Sequence, residues 1–238
     1  MWSGIVPIES LDEAGRWTVA FFSTQTRQLA SHFPMVAISD IAEEKKTTVD
    51  PRALTDETIN YLGLENVRSE TGELTAFSPV PASKIKSRSK SYKTGDVLYG
   101  RLRPELNKVY LAEDSISPGI CSNEFIVLRA RPDKVRERFL RYLLASHYVS
   151  QFASKLRTGA SLPRMSSADL LAIQVPLPPL DVQDRVCLNL DIIDARLREL
   201  REIVEWLPEA ALTNFASTLE DGDDRIGSIA EQLIQRSQ

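Results

Sequence analysis

At 238 residues, with 42% hydrophobic and 26% charged side chains, the chain has apolar material for one good core and an appended helical element, and too little for two full domains. No apolar run reaches the roughly 18 residues of a membrane span, which argues against a membrane helix. The net charge of −4 disfavours a polyanion partner only on average. Lys84 to Arg164 holds 17 Lys/Arg against 7 Asp/Glu, a balance of +10, and the remainder holds 12 against 26, a balance of −14. A basic centre between acidic ends suits one polyanion-facing surface with other surfaces kept for protein, the alternative being chance clustering on a solvated surface. The start, Met1 to Pro7, has no basic segment followed by an apolar stretch, so no secretory leader is expected. Cys121 and Cys187 lie far apart in apolar surroundings and read as reduced, cytosolic thiols rather than a disulfide or a metal site.

In chain order, residues 1–32 form a lead-in. Trp17, Phe21, Phe22 and Leu29 there are compatible with a short helix packed on the body. From Phe33 onward Val36, Ile38 and Ile41 alternate, and Glu43-Glu44-Lys45-Lys46 marks an exposed turn or helix end. The body, residues 33–179, reads as an α/β (α+β) domain with a mixed sheet. Short apolar runs at Tyr61–Leu64, Asp96–Tyr99, Val109–Leu111 and Glu124–Leu128 predict strands, punctuated by Gly72, Gly95, Gly100 and Gly119. The last run is apolar on both faces, which predicts a central strand covered on both sides. From Asp133 to Leu156 the period becomes helical, with Val135, Phe139, Leu143, Val149, Phe152 and Leu156 largely on one face and Gly159 as a stop. Ser166 and Asp169 have capping-box spacing before a short helix. Ile173, Val175 and Leu177 alternate as a strand that ends in Pro178-Pro179.

After that proline stop, Val186, Leu190, Ile193, Leu197, Leu200, Val204 and Leu207 follow at spacings of 4, 3, 4, 3, 4, 3. This is an a/d heptad seam with charged residues between, on a helix over 180–207 about 40 Å long at about 1.5 Å per residue. Such a helix serves as a coiled-coil spacer or dimerisation arm, or else lies along its own domain. Pro208 ends or kinks it, and residues 208–238 form a C-terminal helical extension. Within that extension Arg225–Gln232 echoes Val36–Glu44, as if a second copy of the domain were about to begin.

Several blocks share one resemblance. Tyr61-Leu62-Gly63-Leu64-Glu65-Asn66-Val67, Gly95 to Val109, Gly119 to Phe125, Thr158-Gly159-Ala160-Ser161 with Pro163-Arg164, and Val175 to Leu180 with Gln183 occur in this order over roughly 33–207. Together they resemble the target-recognition domain of specificity subunits of type I restriction–modification systems. The resemblance implies two such domains per full-length subunit, each reading half of a bipartite DNA target. It also implies two long helices that act as a spacer and dock the methyltransferase subunits. With one domain and one long helix, this chain would be a half-subunit that dimerises or part of a longer subunit. The partners implied are double-stranded DNA, an adenine methyltransferase subunit, a restriction subunit in the full complex and a second copy of the chain. The implied location is the cytoplasm. No cofactor is implied.

Reading a duplex needs phosphate contacts for affinity and base-edge contacts for discrimination. Lys84, Lys86, Arg88, Lys90 and Lys93 alternate with serines and form a basic loop suited to phosphates. Arg101 and Arg103 flank Leu102, so on a strand both would point to one face, with Asn107 and Lys108 following a proline bend. Arginine pairs with guanine and asparagine with adenine, so this cluster either reads bases or braces a structural turn. Thr158, Ser161 and Arg164 form a second polar loop that would touch the DNA backbone. Two half-site readers one duplex turn apart need centres about 34–36 Å distant, the order of length of the predicted arm.

Catalytic readings fare worse. Gly95 to Gly100 has the glycine spacing of a phosphate loop but lacks its lysine and hydroxyl. His32 and His147 are too isolated for a metal pair. Glu43 and Lys45 lack the upstream acid of a nuclease, and the glycine-rich and Asn/Asp-Pro-Pro-aromatic motifs of adenine methyltransferases are missing. The expectation is a non-catalytic chain with no metal. A protein-interaction scaffold with an incidental basic centre is the competing class.

Overall fold

Alternation along two neighbouring strands sets the architecture. Phe125 and Val127 point to one side of their sheet, Ile126 and Leu128 to the other, and all four are buried. A strand apolar on both faces needs cover on both, and here a helical layer supplies one and a second sheet the other. The computed structural model describes residues 32–54, 58–159, 161–206 and 211. The predicted lead-in helix, the C-terminal extension, the echo at 225–232 and Leu207 of the seam lie outside the described residues.

The elements are β1 (Met35–Ala37), α1 (Ile38–Ile41), β2 (Ala42–Glu44), β3 (Thr48–Val49), β4 (Thr58–Ile59), β5 (Tyr61–Leu62), β6 (Val80–Pro81), β7 (Ser89–Tyr92), β8 (Asp96–Gly100), β9 (Val109–Leu111), β10 (Gly119–Cys121), β11 (Phe125–Ala130), α2 (Glu137–Ala145), α3 (His147–Leu156), α4 (Ser167–Ala172), β12 (Gln174–Pro176) and α5 (Leu180–Trp206). The central sheet runs β2-β11-β8-β9 and is antiparallel throughout, with Val127 opposite Leu98. The second runs β3-β7-β10-β5, and its β10–β5 pair is parallel, so this sheet is mixed as the sequence predicts. A two-stranded antiparallel pair, β1 with β12, sets Val36 opposite Val175, and another joins β4 to β6.

Two cores follow from the alternation. Val97, Tyr99, Ile126 and Leu128 pack with Leu140, Leu144, Val149 and Leu170 of the helical layer. Leu98, Phe125 and Val127 pack with Leu62, Tyr92, Ile116 and Cys121 on the other side. At the far end of the central pair, Asp96 is buried and accepts two hydrogen bonds from the Arg129 guanidinium, at 2.8 and 2.9 Å. Such a partner offsets the cost of taking a carboxylate out of water.

Three local expectations change. The alternation of Val36, Ile38 and Ile41 is not one strand: β1 stops at Ala37, and Ile38 and Ile41, three apart, sit on one turn of helix closed by Ala37 N donating to the Asp40 carboxylate at 3.1 Å. Glu43-Glu44 is no turn, because Ala42–Glu44 pairs with β11. The predicted helix over 133–156 is two. Ser146 ends α2 in an extended conformation and caps α3, its Oγ donating to Leu143 O at 2.6 Å and accepting from Val149 N at 3.4 Å. Serine competes with the helix for backbone partners and favours such caps. The Ser166 cap on α4 forms as the spacing predicts, accepting from Asp169 N at 3.0 Å.

The chain forms two compact units, the first ending at Cys187 and the second starting at Leu188. In the first, α5 begins where Val182 N and Gln183 N both donate to Pro179 O at 3.0 Å. Gln183 is fully buried. Its amide donates to Lys134 O at 3.0 Å and Pro178 O at 2.8 Å, and its carbonyl accepts from Arg136 N at 2.9 Å. Arg136 also pairs with Asp184 at 3.0 Å. The first turns of α5 are thereby fastened to the segment that leads into α2. Gln183→Ala strands two carbonyls and one N–H in the interior and should lower unfolding free energy by about 2–3 kcal/mol. Urea unfolding of the purified chain measures it, and Asp184→Ala, at an exposed pair, should cost far less.

Candidate nucleic-acid interface

The turn between β10 and β11, Ser122–Glu124, joins two cationic stretches far apart in sequence. On one side Asn123 Nδ2 donates to Arg88 O at 2.7 Å, which fixes the end of the loop carrying Lys84, Lys86 and Arg88. On the other, Glu124 O accepts from Arg101 N at 2.8 Å, and the Glu124 carboxylate receives Arg164 in bidentate fashion, Nε at 3.0 Å and Nη2 at 2.7 Å. That pairing holds the Arg164 guanidinium charged more firmly than usual. The main chain completes the link. Thr158 and Arg164 exchange two hydrogen bonds of 2.8 Å, Arg103 N donates to Pro163 O at 2.8 Å, and Met165 N donates to Arg101 O at 3.0 Å. Loops 101–107 and 158–164 are one hydrogen-bonded assembly.

The predicted residues separate by what holds them. Lys84, Lys86, Arg88 and Lys93 are exposed, and no ion pair engages them among the described residues. Lys90 faces inward: its Nζ donates to Phe125 O at 2.7 Å and lies 3.7 Å from the Glu44 carboxylate. Alternation on β7 puts Lys90 on the same face as the buried Tyr92. Arg101 and Arg103 do not share a strand face, because β8 ends at Gly100 and Pro104 bars its continuation. Arg103 instead adopts a left-handed backbone, φ 49° and ψ 62°, with its side chain exposed 3.7 Å from Glu105. Arg101 is half-buried, and its Nε meets no hydrogen-bond acceptor among the described residues.

Asn107 takes the bracing role that the sequence left open. It is buried and also left-handed, and its amide donates to Glu70 at 3.0 Å and Ala145 O at 2.8 Å. Lys108 likewise turns in, donating to Leu64 O at 2.7 Å, and burial pulls its ammonium below the usual lysine range. Thr158 and Ser161 stay exposed, whereas Arg164 is committed first to Glu124. Three residues not singled out from the sequence belong to the assembly: Asn123, Glu124 and Arg157, the last paired with Glu105 at 2.6 Å. The first two fall within the Gly119–Phe125 block of the resemblance, which assigns them no role.

Of the predicted seam, Val186 is half-buried against the first core, within the first unit. In the second unit Leu190 and Val204 are half-buried, and Ile193, Leu197 and Leu200 are exposed, as are Leu188, Ile192 and Ile203. Burial pushes the Cys121 thiol up to about 12, away from the reactive thiolate form. Among the described residues no group of three or more His, Cys, Asp or Glu could hold a metal ion, and no helix is long and apolar enough to cross a membrane.

The family model of the type I restriction modification DNA specificity domain matches residues 31–205. The chain belongs to this family. Relatives in the specificity-domain family include the EcoDI specificity subunit of Escherichia coli, 26% identical over 150 residues that make up 63% of this chain and 31% of that protein. The MjaVIII specificity subunit of Methanocaldococcus jannaschii is 30% identical over 121 residues, 50% of this chain and 28% of that one. The fold matches the HsdS subunit from Thermoanaerobacter tengcongensis with a TM-score of 0.64 at 23% identity, over 81% of this chain and 47% of that chain. It matches a chain from a structure concerned with complex assembly and conformational transition of the type I R-M system at 0.65 and 22%, over 80% and 48%. This specificity domain thus spans about a third of the curated relatives and about half of the matched structures.

Partnering sorts the lysines experimentally. Lys90→Met should cost about 1–3 kcal/mol of stability, since it strands a carbonyl and a carboxylate. Lys84→Ala, Lys86→Ala and Arg88→Ala should stay within about 0.5 kcal/mol of the parent in the same thermal or urea titration.

Proposed function

We propose that this chain is the non-catalytic DNA-recognition part of a type I restriction–modification complex, reading one half of a bipartite duplex target and docking the adenine methyltransferase subunit through α5. The match of the specificity-domain family over 31–205 carries this reading. The site geometry supports it independently. Exposed cations on one segment and an arginine-bearing loop assembly on the other meet at one turn, and their backbones are fixed before any ligand arrives. Such an arrangement offers salt-sensitive phosphate contacts from Lys84, Lys86 and Arg88 and groups of fixed position from Arg101 and Arg103. Arg101 Nε, buried with no acceptor among the described residues, gains most from an incoming anionic or carbonyl oxygen. A left-handed arginine held by its neighbours is the kind of strained position that functional sites keep.

In this reading α5, at 27 residues about 40 Å long, pairs with a second long helix, either of a twin chain or of a further segment, and its exposed leucines and isoleucines meet protein. The restriction subunit joins the complete complex, and the assembly works in the cytoplasm. Together with the methyltransferase subunit, the chain should bind duplex DNA with an affinity that falls steeply with salt. The triple variant Lys84→Ala, Lys86→Ala, Arg88→Ala should flatten the log–log salt slope by about 0.9 for each phosphate that it ceases to neutralise. Duplex binding no better than background at low salt would overturn the reading. For the arm, Leu197→Asp should abolish co-elution with the methyltransferase subunit, or the dimer mass in light scattering, while the unfolding midpoint of the domain holds; unchanged values of both oppose that role.

A further inference from the structure

Within the first compact unit, the large exposed hydrophobics among the described residues are Phe33, Met35 and Leu162. Phe33 and Met35 adjoin the residues before 32, whereas Leu162, 52% exposed, stands on the loop that joins the Arg101–Asn107 turn. A lone exposed leucine is ordinary. What sets this one apart is how its backbone is held. Arg164 Nη1 donates to Leu162 O at 3.2 Å while the same guanidinium is locked on Glu124. Pro163 O is held by Arg103 N, and the loop is closed below by the Thr158–Arg164 pair. Gly159 makes the bend at φ +101°, where a Cβ would be strained and would stand 3.3 Å from Leu162 O. The main chain is therefore held at Leu162 O, Pro163 O and Arg164, beside a side chain left in water, so less ordering is needed on binding. Ser161 precedes it, Arg164 donates to its carbonyl and Arg103 N donates to the carbonyl of the next residue.

We infer that Leu162 is an apolar reader of the bound duplex, seating against the 5-methyl group of a thymine. The inference rests on the DNA-recognition reading proposed for this chain. The exposed cations Lys84, Lys86 and Arg88 suit phosphates, but leucine has no donor or acceptor and gains nothing from a phosphate. What a duplex offers an apolar side chain in the major groove is the thymine methyl. A dry contact of that size is worth about 0.8 kcal/mol per buried carbon, close to fourfold in affinity. Cation pairing thus sets affinity, and Leu162 adds a preference at one base pair.

The test uses the full chain with its methyltransferase subunit and a duplex selected by that complex from a random library. Replacing each thymine in turn by uracil removes only the methyl. One position should weaken the parent complex about three- to fivefold. Leu162→Ala should lose a similar factor on the thymine duplex, ignore uracil at that position and keep the parent salt slope. Leu162→Met should retain the response. A uracil scan without effect on the parent overturns the inference, as does a scan identical in parent and Leu162→Ala. So does a loss confined to methyltransferase co-elution, which would make Leu162 a residue that meets protein. Failure of the parent to bind any duplex defeats the DNA-recognition reading itself, and this inference with it.

Discussion

The strand pair β8–β11 is the constraint from which the rest follows. Both strands are buried on both faces, so the chain must supply a helical layer for Val97, Tyr99, Ile126 and Leu128 and a second sheet for Leu98, Phe125 and Val127. Once those layers are in place, the ends of the pair have fixed positions. At one end the buried Asp96–Arg129 contact closes the sheet. At the other, β11 begins directly after Ser122–Glu124, so the turn that collects both cationic segments is anchored in the least deformable part of the domain. The candidate surface is in this sense an edge of the core rather than a loop appended to it.

Charge in the basic centre divides by partner, not by sequence neighbourhood. Lys90 and Lys108 lie among cations that stay in water, yet each donates to a main-chain carbonyl inside the fold. Arg129 and Arg164 are held by carboxylates, whereas Lys84, Lys86, Arg88 and Lys93 have no such tie among the described residues. An internal hydrogen bond to a charged group contributes more than a surface ion pair, so the inward lysines belong to stability, and the outward ones are the cations left to meet a ligand in the proposed reading. The +10 balance of the segment overstates the free charge for that reason.

Period and punctuation made much of this fold legible. The doubly covered strand Phe125–Ala130, the Ser166 cap and the long helix opening after Pro179 lie close to where periodicity and turn chemistry put them. Failures came where one residue breaks a longer pattern. Ser146 interrupts a face that runs from Val135 to Leu156, and the apolar period carries no trace of the cap. Val36 and Ile38 fit alternation, but Ile38 and Ile41, three apart, fit only a helical turn, and so short a span hid the change of period. For the site, composition singled out the cations but not their directions. Asn107 and Lys108 turn inward because of contacts with Glu70, Ala145 and Leu64, partners that sequence spacing cannot pair with them.

The loops of the candidate surface are joined chiefly through main-chain atoms: Arg101 to Glu124 and Met165, Arg103 to Pro163, Thr158 to Arg164. Peptide groups are common to all residues, so such a lattice is largely indifferent to the side chains it displays. Exchanging the residues at 84, 86, 88, 103, 161 or 162 would change what the surface prefers without disturbing how it is built, whereas exchange at Glu124 or Gly159 would disturb both. If the proposed reading holds, a scaffold of this kind acquires new target sequences by small steps, each tolerated by the fold.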